Sequence, residues 1–152
     1  MNPQVSRSGP NFTAAELGDA SAWKAYTAEV AALPGVTVPG KFFLHDVLGL
    51  TGMEISVNCL PAGGKVPFFH THRAHEEVYL VLAGSGQFQI DGELIDVGPG
   101  SALRVAPEGA RTWRNRGNEP LYYIVIQATA ASLTTPGTAD GVPLAAKPVW
   151  PD

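Results

Sequence analysis

Apolar and polar positions follow two regimes along this chain, and the change comes near Phe42. Upstream, Trp23, Tyr26, Val30 and Leu33 recur at helical spacing, which predicts one amphipathic helix over Ser21 to Leu33, ended by Pro34-Gly35. Thr13, with Glu16 three residues on, reads as a capping box for a shorter helical turn that Gly18 soon interrupts. Downstream, the runs are short, apolar or alternating, and bounded by Gly, Pro and Asp. They predict strands over Met53 to Leu60, Val66 to His72, Glu77 to Leu82, Gly86 to Ile90, Glu93 to Val97, Ala102 to Ala106, Arg111 to Asn115 and Leu121 to Gln127. Strands this short and evenly spaced indicate an all-β sandwich or barrel.

The clearest local signal is Gln87-Phe88-Gln89-Ile90-Asp91-Gly92-Glu93-Leu94. Asp-Gly at its centre favours a two-residue type I′ hairpin turn, which needs positive φ at both central residues. The alternation places Phe88 and Ile90 on one face and Gln87 and Gln89 on the other, as in a half-solvated sheet. Beyond Gln127 the composition drifts to Ala, Thr, Pro and Gly, an extended tail. Its terminal Val149 and Trp150 are apolar enough to drape across the domain or a second subunit.

Composition narrows the class. At 152 residues, 45% of them hydrophobic and 16% charged, the chain suits one globular domain with a sizeable core. A formal charge of -4 with scattered Lys and Arg argues against nucleic-acid binding. Cys59 is the only cysteine, so there is no internal disulfide, and its apolar surroundings make it a core-filling residue. The N-terminus lacks the apolar core of a signal peptide, and no apolar stretch reaches the roughly 18 residues of a membrane span. The expectation is a soluble, cytoplasmic protein.

The chemistry concentrates in Gly64 to Gly84. In an extended strand His70 and His72 share one face, about 7 Å apart along the backbone, so both imidazoles can reach one metal ion. A carboxylate at the start of the next strand can face the same ion, which completes a set of two histidines and one carboxylate. Such a set suits iron, manganese, nickel, zinc or cobalt and leaves positions open for water and substrate. His75, two residues before Glu77, could add a fourth ligand if the strand begins early; otherwise it occupies the turn with Arg73. Glu76 points away from Glu77.

This segment resembles the first motif of the cupins, Gly-x5-His-x-His-x4-Glu-x6-Gly, with Gly64, His70, His72, Glu77 and Gly84 at its fixed positions. Glu77 rather than Glu76 takes the ligand position because it lies six residues before Gly84. The stretch from Gly98 to Asn115 resembles a degraded second motif: Pro107, Gly109 and Asn115 are recognisable, but Thr112 stands where the family's fourth ligand, a histidine, is expected. The resemblance implies a jelly-roll β-barrel, commonly dimeric, with its site inside the wide end. It divides the chain into an N-terminal helical extension (1–40), the barrel (41–127) and the extended tail (128–152). Cupins include dioxygenases, isomerases, epimerases, decarboxylases and binding proteins, so the fold alone does not select a function.

Around the metal set, Phe68 shares the face of His70 and His72, while Tyr79 shares that of Glu77. Trp113 is a possible stacking surface for a ligand ring or a core residue. Arg104 has apolar neighbours and needs a carboxylate partner or an open cavity; with Tyr79 it is a candidate to position substrate. Arg111 either binds an anion from inside the barrel or lies on the surface. Two functions follow: a metal-dependent enzyme, of dioxygenase or isomerase type, acting on a small polar or anionic substrate, or a metal-free module binding a sugar or carboxylate.

Overall fold

The structure, a computed structural model, describes residues 2–31 and 33–151. An N-terminal ribbon pairs β1 (Gln4–Gly9) with β2 (Phe12–Glu16), and a 3-10 helix (Ala20–Ala25) leads to a second ribbon of β3 (Thr27–Glu29) and β4 (Thr37–Pro39). There follow β5 (Lys41–Phe43), a four-residue helix α1 (His45–Leu48), β6 (Glu54–Leu60), β7 (His75–Ala83), β8 (Gly86–Ile90), β9 (Glu93–Val97), β10 (Ala102–Val105), β11 (Arg111–Asn115) and β12 (Leu121–Thr129). One sheet has the order β10-β7-β12-β6-β5 and the other β11-β8-β9. Among the described residues these two sheets form a β-sandwich of jelly-roll type, not the closed barrel expected. No described helix is long and apolar enough to cross a membrane.

Strand alternation divides the apolar residues between two cores. Tyr79 and Val81 from β7, Phe88 from β8, Val105 from β10, and Leu121, Tyr123 and Val125 from β12 pack between the sheets. The opposite face of β6 and β12 supplies Val57, Cys59, Tyr122 and Ile124, which meet Trp23, Tyr26, Phe42 and Leu44 in a second cluster. The hairpin forms as expected: Ile90 pairs with Glu93, and Asp91 and Gly92 have φ of +49° and +91°. Gly84 (φ +81°) turns β7 into β8 where a Cβ would lie 2.4 Å from the Pro120 carbonyl oxygen.

The N-terminal expectations need correction. The long helix over Ser21 to Leu33 is only the 3-10 helix, capped by the Asp19 carboxylate accepting from the Ser21 N–H at 2.9 Å. Trp23 and Tyr26 do bury against the domain, but Thr27 to Glu29 finds backbone partners in Thr37 to Pro39. Pro34-Gly35 is thus the turn of a ribbon; position 32 lies outside the described residues. Thr13 and Glu16 belong to β2, paired with β1, so no capped helical turn exists there. Residues 131–151 contain no helix or strand and are exposed throughout, with Trp150 83% exposed, so the tail does not drape over its own domain.

Candidate metal centre

The strand expected over Val66 to His72 does not form: residues 65–72 carry only isolated bridges to β11, Lys65 with Arg114 and His70 with Arg111, yet they keep the alternation of an extended chain. The His70 N–H donates to the Arg111 carbonyl and the Arg111 N–H returns the bond, both at 3.1 Å; the His72 N–H donates to the Pro107 carbonyl at 2.9 Å. These bonds turn Phe68, His70 and His72 inward and leave Phe69 exposed. On β7, Glu77 and Tyr79 point inward beside them.

His72 Nε2 lies 3.2 Å from Glu77 Oε1, and His70 Nε2 lies 3.9 Å from Glu77 Oε2. One ligand atom from each of His70, His72 and Glu77 falls within 4.8 Å of the others. Burial holds the His70 imidazole below its ordinary pKa, with Arg111, His72 and Lys41 adding to the effect and Glu77 opposing it. A neutral imidazole is the form that ligates metals. His72 Nε2 is also buried and, although 3.2 Å from Glu77 Oε1, makes no hydrogen bond of good geometry, so its lone pair is available to an ion. The donor set, its spacing and the orphaned nitrogen all fit a divalent ion.

Glu77 is only 5% exposed, and its other oxygen is held by the protein. The Tyr79 hydroxyl donates to Oε2 at 2.5 Å, and Arg111 Nε lies 3.2 Å from the same atom. Tyr79 therefore fixes the carboxylate as well as lining the cavity. Burial, together with the charge and hydrogen bond of Glu77, pushes its phenol pKa far above the ordinary value, so Tyr79 acts as a donor.

Arg111 corrects two readings. It is fully buried, not a surface residue, and its Nη1 donates to the carbonyls of Gly109 (2.8 Å), His70 (3.3 Å) and Pro107 (3.4 Å). It, not Thr112, faces Glu77 from β11; the Thr112 hydroxyl donates to the Val66 carbonyl instead. Asn115 ends this strand by donating to the carbonyls of Leu60 and Glu119.

The cluster opens into a cavity of about 640 Å³ lined by Phe68, Tyr79, Trp113 and Tyr123, among others. Trp113 both lines this cavity and packs in the core: it stacks on Phe88 at 5.4 Å, and its Nε1–H donates to the Tyr123 hydroxyl at 2.9 Å. The second ribbon adds Val30, Leu33 and Val38 to the wall, so the N-terminal region helps build the pocket. Arg104 is not brought there. Its neighbours Leu103 and Val105 pack toward the core, while its side chain is 58% exposed and pairs with Glu76 on the outer face. His75 begins β7 but stays outside the ligand group, with Nδ1 3.2 Å from Gln127 Oε1.

The sequence reading missed Lys41. From β5 it extends into the cavity wall, and its ammonium donates to Ser56 Oγ at 3.1 Å and Asn58 Oδ1 at 2.9 Å. Burial pushes its pKa down to about 8, against the opposing fields of Glu77 and Glu54. No spacing marks it, because the site forms only when β5 pairs with β6.

The cupin domain family matches residues 56–127. A cupin protein of known crystal structure from Bacteroides fragilis is 39% identical, with a TM-score of 0.66 over 78% of this chain and 97% of the other. The crystal structure of a proposed sugar phosphate isomerase from Acidithiobacillus ferrooxidans is similar at 25% identity and a TM-score of 0.58, covering 69% of this chain and 67% of that one. An uncharacterized protein from Methanocaldococcus jannaschii is 34% identical over 62 residues, 41% of this chain; the chain spans about half the length (49%) of that curated relative. Since identity of 39% extends over nearly all of the Bacteroides fragilis protein, and the family match spans the strands that build the site, this chain belongs to the cupin family.

Proposed function

We propose that this cupin is a metal-dependent enzyme of the dioxygenase or isomerase class, acting on a small polar or anionic molecule. The observation that carries the reading is the convergence of His70, His72 and Glu77, with ligand atoms within 4.8 Å of one another at the wall of a 640 Å³ cavity. These three residues would hold the ion. When bound, a divalent metal in such a set supplies Lewis acidity or oxygen activation through its open positions.

The remaining residues position and screen. Tyr79 donates to Glu77 Oε2 and leaves Oε1 facing His72, so only one carboxylate oxygen is free. Arg111 fixes the same carboxylate and ties the Pro107 to Gly109 turn to the histidine segment. Phe68, Trp113 and Tyr123 exclude water from one wall, which strengthens electrostatic contacts inside. The Acidithiobacillus ferrooxidans relative supports the isomerase arm. Cupin membership supports a homodimer, to be read by sedimentation.

The Arg111–Glu77 pair favours a second reading, a metal-free module binding a sugar or carboxylate metabolite, because the guanidinium already supplies the carboxylate's counter-charge. To separate the two, chelator-stripped protein is loaded in turn with iron, manganese, nickel, zinc or cobalt. It is then offered small hydroxy- and oxo-acids and sugar phosphates, with oxygen uptake and product formation followed. Metal-dependent turnover that disappears in His72→Ala supports the enzyme; ligand binding that needs no metal and yields no product supports the module.

A further inference from the structure

Lys41 is a half-buried cation in the cavity wall that the metal reading leaves unused. Gly40 places it: φ there is +70°, and a Cβ would lie 2.1 Å from the Cys59 carbonyl oxygen, so only glycine lets β5 approach β6 this closely. Lys41 then pairs with Asn58 and Phe43 with Ser56. Phe42 turns into the second core, while Lys41 and Phe43 face the cavity.

The two groups that hold the ammonium are themselves fixed. Ser56 and Asn58 are 1% and 3% exposed, and Asn58 Nδ2 donates to the Ser56 carbonyl (3.0 Å), to Ser56 Oγ (3.1 Å) and to the Tyr123 carbonyl (3.4 Å). An ammonium has three donors; these neutral oxygens take two of them, and the Phe43 ring lies 4.7 Å from Nζ, a cation–π contact that leaves the charge without an anionic partner. Among the described residues no carboxylate lies within 4.0 Å of Lys41; Glu77, on the same cavity, is paired with Arg111. A buried charge without a counter-charge is costly, and a ligand anion would offset that cost.

We propose that Lys41 is the anion-receiving group of this cavity and that the molecule it takes is an organic carboxylate with an apolar body. The apolar walls formed by Val38, Phe43, Leu60, Val66 and Val125 favour a singly charged organic anion over the more strongly hydrated phosphate dianion. A carboxylate offers one charge and accepts the remaining donor through one oxygen, while its carbon skeleton lies against the apolar wall. The inference deepens the proposed function by naming the substrate class, and it rests on that reading only in taking the cavity as the substrate site.

The test compares butyrate, hexanoate, phenylacetate and 3-phenylpropionate with their primary amides, by calorimetry and protein-observed NMR, on metal-loaded and chelator-stripped protein. At pH 7 the wild type is expected to bind at least one acid tenfold or more above its amide, with or without metal. That preference is expected to vanish in both Lys41→Met and Lys41→Gln; the glutamine variant covers the case in which methionine disturbs the fold. Equal binding of acid and amide, binding by no acid of the set, or a preference that survives either substitution overturns the proposal. A preference that persists in protein unable to take up metal leaves Lys41's role standing and removes only the metal reading.

Discussion

Arg111→Met tests whether the guanidinium holds the site together. Arg111 is fully buried and Glu77 is 5% exposed, so the substitution leaves a carboxylate buried with the Tyr79 hydroxyl as its main remaining donor. It also frees the carbonyls of His70, Pro107 and Gly109, which now share Nη1. Removing one partner of a buried ion pair costs about 3–5 kcal/mol, mostly through the uncompensated charge left behind. For a domain of this size each kcal/mol lowers Tm by about 2–4 °C, so the expected drop is roughly 6–20 °C. Urea unfolding at pH 7, monitored by tryptophan fluorescence, measures the free energy. Adding Glu77→Gln removes the orphaned charge and should restore part of the loss; a double-mutant cycle gives the coupling. A loss below about 1 kcal/mol, or a double variant no more stable than Arg111→Met, would refute the reasoning.

Tyr79→Phe removes a donor to a charged acceptor and should destabilise by about 1.5–3 kcal/mol in urea, with weaker metal retention in competition with a chelator. Lys41 gives a pH signature: its folded-state pKa of about 8 lies below the 10.5 of an unperturbed lysine, so between these values the unfolded chain holds more protons and stability rises with pH. Relative to Lys41→Met, the wild type should gain up to ~3 kcal/mol from pH 8 to 10.5, and a flat difference in paired urea titrations would contradict the burial of the ammonium. Arg104→Met breaks an exposed pair, so it should cost no more than about 1 kcal/mol and leave metal content unchanged; a loss of metal or turnover would return Arg104 to the site.

How much of this was legible depended on how local the determining contacts are. The Asp91-Gly92 hairpin and the alternation of β7 and β8 follow from neighbouring residues, and both formed as expected. The pairing of His70 with His72 needs only the period of an extended chain, so it too was readable. The N-terminal ribbon was not, because Trp23 and Tyr26 have helical spacing but pack around a 3-10 turn, and the following residues, Thr27 to Glu29, gain strand partners in Thr37 to Pro39. Arg111 was ambiguous for a related reason: the second motif is degraded, with Thr112 at the expected ligand position, and only the pairing of β11 with β8 and with residues 65–70 decides which side chain faces Glu77. Lys41 left no local trace, since its partners Ser56 and Asn58 are 15 and 17 residues away on another strand.

The central claim, that His70, His72 and Glu77 hold a divalent metal, is tested most directly by elemental analysis of untagged protein beside a His70→Ala/His72→Ala double variant. Near-stoichiometric metal in the wild type, absent from a folded double variant, is the expected result; no metal in either protein, even after reconstitution with each candidate ion, would contradict the claim.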